Sequence, residues 1–100
     1  MTPAFEDLVP PEALRGMVPW VRDPVRMQRA FNLLRRVVAS EDQEIVGGDG
    51  GGWWVDDAPA AGRDVTHLLR MCVLREQSTG VLRYYTVNSV GMAWLARAKA

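Results

Sequence analysis

Apolar positions recur along this chain with two periods. Between residues 24 and 39, Met27, Ala30, Phe31, Leu34, Val37 and Val38 follow one another at three- and four-residue steps, the spacing of one buried helix face. Asp23 is a good N-cap and Pro24 sits at the favoured first helical position, so the helix starts there. Arg26, Arg29, Arg35 and Arg36 fall mostly off that stripe. They read as a solvated face, with a phosphate-facing row as the sharper alternative. A second helix is expected over roughly 65–74, capped by Asp64 and burying Val65, Leu68, Leu69, Cys72 and Val73. Thr66, His67 and Arg70 lie off its apolar stripe. A last helix, capped by Asn88 or Ser89, buries Val90, Ala93, Trp94 and Leu95 and places Arg97 and Lys99 in its final turn, where cations suit the helix dipole.

Strand signals lie between these helices. Ile45-Val46 reads as a short strand, and Trp53-Trp54-Val55 as another. Adjacent residues of a strand point to opposite faces, so one of these Trp enters the core and the other is left for solvent, the N-terminal segment or an interface. Residues 74–77 and 81–87 flank Ser78-Thr79-Gly80 as a hairpin, its second arm rich in β-branched and aromatic residues. Asp56 to Gly62 reads as a turn with about one turn of helix. The glycines from Gly47 to Gly52 match no phosphate-binding fingerprint, because Trp53 stands where a third Gly is required and no Gly-Lys-Ser/Thr follows. They read as a loop or hairpin tip. Residues 1–22 hold Pro3, Pro10, Pro11 and Pro19 among apolar side chains. Thr2-Pro3 can open one short helix and Pro11 another that ends at Gly16. This apolar arm (1–22) is expected to pack on the domain formed by 23–100, or to dock on a partner.

Composition narrows the choice. At 100 residues and 48% hydrophobic, the chain has the size and make-up of one folded domain. One Cys excludes an intramolecular disulfide, and no Cys/His cluster can close a zinc site. No apolar run is long enough to span a bilayer, and the acidic N-terminus is unlike a signal peptide, so a cytoplasmic protein without membrane contact is expected. No cofactor is expected. Nor is catalysis: His67 has no nearby nucleophile to activate, Cys72 lies on an apolar stripe, and the adjacent Asp56 and Asp57 make at best a weak cation site. The neutral total hides an asymmetry. Residues 1–62 carry ten acids against six Arg, whereas residues 63–100 carry six cations against Asp64 and Glu76. The C-terminal part therefore presents a positive field.

Tyr84-Tyr85-Thr86-Val87-Asn88-Ser89-Val90-Gly91-Met92-Ala93-Trp94-Leu95 is similar to the second wing strand and last helix of winged helix-turn-helix regulators of the PadR and MarR type. Tyr84, Tyr85, Gly91 and Leu95 carry the match. Upstream, Val65 to Leu74 resembles a recognition helix running into the first wing strand, and the likeness extends over about 57–97. It implies an α+β, winged-helix-like fold with a C-terminal hairpin wing (75–88) and a final short helix. It also implies a small DNA-binding protein or transcriptional regulator that places a recognition helix (about 64–74) in the major groove of double-stranded DNA. Arg63, Thr66, His67, Arg70, Arg75 and Arg83 would then meet the DNA. So few phosphate contacts bind weakly as a monomer, which favours a dimer built on the arm, the Trp pair or the last helix.

A protein–protein adaptor with the same winged-helix-like fold, of a phage or mobile-element type, is the competing expectation. Neutral net charge suits it, and Trp20, Trp53 and Trp54 would be its anchors, because Trp and Arg are enriched at interface hot spots. Core filling is the plain alternative for each Trp.

Overall fold

A computed structural model of the chain describes residues 5–47, 51–78, 80 and 82–99. The Thr2-Pro3 helix start, Gly48–Gly50, Thr79 and Val81 lie outside the described residues. The Pro-rich arm forms a 3-10 turn at Phe5–Leu8 and a short helix, α1, at Pro11–Arg15 that closes on Gly16. Helix α2 runs Pro24–Ala39, and its cap is the expected one: Asp23 Oδ1 accepts from the backbone N–H groups of Val25 and Arg26, both at 3.1 Å.

Strands β1 (Glu44–Gly47), β2 (Trp53–Val55), β3 (Ala58–Ala60), β4 (Leu74–Glu76) and β5 (Arg83–Val87) make one antiparallel sheet in the order β3-β2-β1-β5-β4. With helices α3 (Gly62–Arg70) and α4 (Ser89–Lys99) the protein is α+β. The hairpin of β4 and β5 holds Leu74 opposite Val87 and Glu76 opposite Tyr85, and the Gln77 N–H continues it to the Tyr84 carbonyl at 2.7 Å.

Two boundaries differ from the sequence expectation. The stretch after Val55 is not helical. Asp56 (φ 47°) and Asp57 (φ 63°) are both left-handed, and Val55 pairs with Ala58, which is the two-residue hairpin turn that suits the twist of the flanking strands. β3 is an edge strand, where Pro59 can sit without losing a ladder bond. Arg36 covers that edge, donating to the carbonyls of Ala58 at 3.1 Å and Pro59 at 3.2 Å.

The second difference concerns α3, which begins at Gly62 and stops at Arg70 instead of running to residue 74. Cys72 takes φ 56°, its N–H reaches the Leu69 carbonyl at 3.1 Å, and the Val73 N–H reaches the Leu68 carbonyl at 3.4 Å. That is the paired helix stop normally built on Gly. Cys72 is exposed rather than buried on a helix stripe. The short stop aims Val73 into the core and lets β4 start at Leu74.

The core lies between the inner face of the sheet and the helices. Ile45, Val55 and Tyr85 point inward from three strands, against Phe31, Leu34 and Val37 of α2 and Val65 and Leu68 of α3. Trp94 of α4 is fully buried and meets Phe31 and Phe5 edge-on, with ring centroids 4.8 Å and 5.2 Å away. Arm residues Phe5, Met17 and Val21 belong to this same core, and Arg97 of α4 reaches Asp7 of the arm at 3.3 Å.

Candidate nucleic-acid interface

Helix α3 sits beside α2 and begins without a side-chain cap. Its N-cap is Ala61, not Asp64. Asp64 instead lies in the first turn, where a carboxylate suits the positive end of the helix, and pairs with Arg29 of α2 at 3.5 Å. Three of the six residues of the expected DNA-contacting set share one face of this helix. Arg63, Thr66 and Arg70 follow at spacings of three and four and are all exposed. Arg63 has no ion pair with a described carboxylate. Arg70 lies over the Trp20 ring, its guanidinium carbon 5.8 Å from the ring centroid, a cation–π contact.

His67 does not belong to that exposed row. It is only 2% exposed, with the Trp20 ring 5.8 Å away. Burial lowers its pKa from 6.5 as the largest effect, opposed by a hydrogen bond to the Trp20 backbone and by the nearby Asp64. Its Nε2 has no hydrogen-bond partner among the described residues. The side chain that sequence spacing put on the outer face is thus covered by the arm, whose contact with α3 no local pattern announces.

The hairpin arginines are exposed, but strand alternation separates them. Arg75 pairs across from Thr86, while Arg83 shares the parity of Tyr85, so the two project from opposite faces of the hairpin. Neither forms an ion pair with a described carboxylate. Glu76 is engaged locally by the Ser78 hydroxyl at 2.9 Å, and Ser78 and Gly80 at the tip are exposed.

The α2 arginines are mostly not a free row. Arg26 pairs with Asp23 at 3.5 Å, Arg29 with Asp64, and Arg36 with the β3 edge. The three Trp of the adaptor expectation part company. Trp53 turns inward on Tyr85, with ring centroids 5.6 Å apart, and packs over Gly47, where a Cβ would lie 2.7 Å from its ring. Trp20 is half-buried on α3. Trp54 is 44% exposed on the outer face, in line with Pro59, Val46 and Tyr84 across four strands.

Among the described residues no group of His, Cys, Asp or Glu side chains is placed to hold a metal ion, and no helix is long and apolar enough to cross a membrane. Comparison with protein-family models, with curated proteins and with solved structures finds no match to this chain.

Proposed function

We propose that the protein is a small winged-helix-like DNA-binding protein that reads duplex DNA with the outer face of α3 and steadies itself on the backbone with the β4–β5 hairpin. The observation that carries this reading is the Arg63–Thr66–Arg70 row, exposed on one helix face and unopposed by a described carboxylate. The lone acid of α3 is drawn aside by Arg29, which removes the repulsion it would offer a phosphate. The succession of α3 and an antiparallel hairpin, with β1 on the far side of β5, supports a wing. Arg75 and Arg83, projecting from its two faces, fit contacts with separate phosphates rather than one. Three to five contacts give weak binding per copy, with log K falling against log salt at a slope of roughly −3 to −5.

Fluorescence anisotropy with a labelled mixed-sequence duplex at low salt tests the proposal. Saturable binding is expected, with Arg63→Ala and Arg70→Ala each weakening it and reducing the salt slope by about one. A protein with no measurable duplex affinity at 20 mM salt, or variants that bind like wild type, would overturn it.

A second reading rests on the outer sheet face. The Pro59–Trp54–Val46–Tyr84 row is an apolar strip of the kind that anchors a protein partner. Under that adaptor reading Trp54→Ser abolishes partner capture without altering stability, and the arginine variants have no effect.

A further inference from the structure

A cleft of about 290 Å³ lies between the arm, the start of α2 and the first turns of α3. Trp20 forms one wall, and Arg26, Arg29, Arg63, Thr66 and His67 contribute the polar lining together with Asp64. Its donor set is unusual for so small a protein. Arg26 and Arg29 are each oriented by one carboxylate at 3.5 Å, from Asp23 and Asp64, while Arg63 has no described carboxylate partner. The Trp20 backbone engages one nitrogen of His67, and Nε2 is buried with no partner among the described residues. A buried polar atom without a partner is costly and asks for one. In the neutral ring this Nε2 is an acceptor, and in the protonated ring a donor.

We propose that this cleft binds a small phosphate monoester, held by the guanidinium groups of Arg63 and Arg29 and the Thr66 hydroxyl, with the His67 ring in the wall beside it. Two arguments select that chemistry. Planar guanidinium forks match phosphate oxygens, and the N-terminal end of a helix favours an anion. The charge also matches a dianion only with a proton on His67. Arg63 is the uncompensated cation of the lining, because Arg26 and Arg29 are offset by Asp23 and Asp64, and an imidazolium adds the second positive charge. Burial and Arg26 hold the ring neutral when the cleft holds no anion, while Asp64 and Asp23 act in the opposite direction. A dianion in the cleft therefore favours the protonated ring in its wall. The volume is at the small end for ligand sites, fitting a sugar phosphate rather than a dinucleotide. The inference stands apart from the DNA reading, although Arg63 and Thr66 serve both.

His67 is the sole histidine of the chain, so its imidazole proton resonances report the site without ambiguity. Inorganic phosphate and ribose 5-phosphate are titrated into the full chain at constant ionic strength, with sodium chloride as the control. The expected result is a saturable shift of the His67 signal with both phosphates, and a titration midpoint raised by about one unit when phosphate is saturating. Arg63→Gln, which breaks no ion pair of the described structure, should weaken binding about tenfold, as loss of one charged hydrogen bond does. Three outcomes overturn the proposal: no saturable shift, an equal shift with chloride, or an Arg63→Gln protein that binds phosphate unchanged. Absence of duplex binding with phosphate binding intact would remove the DNA reading and leave this one standing.

Discussion

The side-chain amide of Asn88 donates to the Cys72 carbonyl at 2.7 Å, while its Oδ1 accepts from the Gly91 N–H at 3.0 Å. One residue thereby caps α4 and fastens the end of α3 to the start of α4. The Asn88 backbone N–H adds a third tie, to the Val73 carbonyl at 2.9 Å. A hydroxyl cap such as Thr accepts from the helix as Asn does, but is too short to make both connections. Asn88→Ala should cost about 2 kcal/mol, the sum of a lost cap and a lost side-chain hydrogen bond, and Asn88→Thr about half of that. Urea denaturation of the two variants measures the difference.

Gly91 is demanded by the same junction. A Cβ there would lie 2.6 Å from Val87 Cγ1 and 2.9 Å from the Val73 carbonyl oxygen. The latter is backbone and cannot swing aside. Gly91→Ala gains helix propensity and still loses overall, by about 1–2 kcal/mol, because overpacking outweighs the gain. Thermal unfolding of this variant should show a lower Tm, and an unchanged or raised Tm would contradict the close approach.

At Cys72 the expected effect has the opposite sign. A non-glycine side chain at φ 56° costs about 1–2 kcal/mol relative to Gly, part of which Gly returns through its freer unfolded chain. Cys72→Gly should therefore raise the urea midpoint modestly, and Cys72→Val should lower it, since a β-branched residue tolerates this region worst.

His67 makes stability depend on pH. Its folded pKa lies below the unfolded value of 6.5 because burial disfavours the charged ring. The folded state therefore binds the proton less readily than the unfolded state does. The stabilisation is present above pH 6.5 and is lost as the pH falls from there through the lowered folded pKa. Urea midpoints measured between pH 7.5 and 5 should fall for the wild type, and fall less for His67→Gln, which has no proton to take up.

The residues that carried the likeness to winged-helix regulators were Tyr84, Tyr85, Gly91 and Leu95. Tyr85 and Leu95 are buried, and at Gly91 α4 comes close to the Val73 backbone. These three record how a hairpin and a following helix pack. The exposed residues of the proposed DNA face lie elsewhere: helical spacing set Thr66 and Arg70 off the apolar stripe, and the earlier start of α3 adds Arg63 to their row. The same spacing misplaced His67, because it describes which side of a helix faces its own core and says nothing of a separate segment laid over the other side.

Local patterns along the chain were sufficient for α2 with its Asp23 cap, for the β4–β5 hairpin and for the buried side of α4, since each is decided by periodicity and by bonds within a few residues. Long-range contact decided the rest. Arg36 reaches more than twenty residues along the chain to cover the β3 edge, Asn88 and the Val73 carbonyl hold α3 to its early end at a cysteine, and Trp20 closes over His67. Each of these is a pairing between residues far apart in the chain. Such pairings leave no mark on the spacing of either partner, so only the assembled fold reveals them.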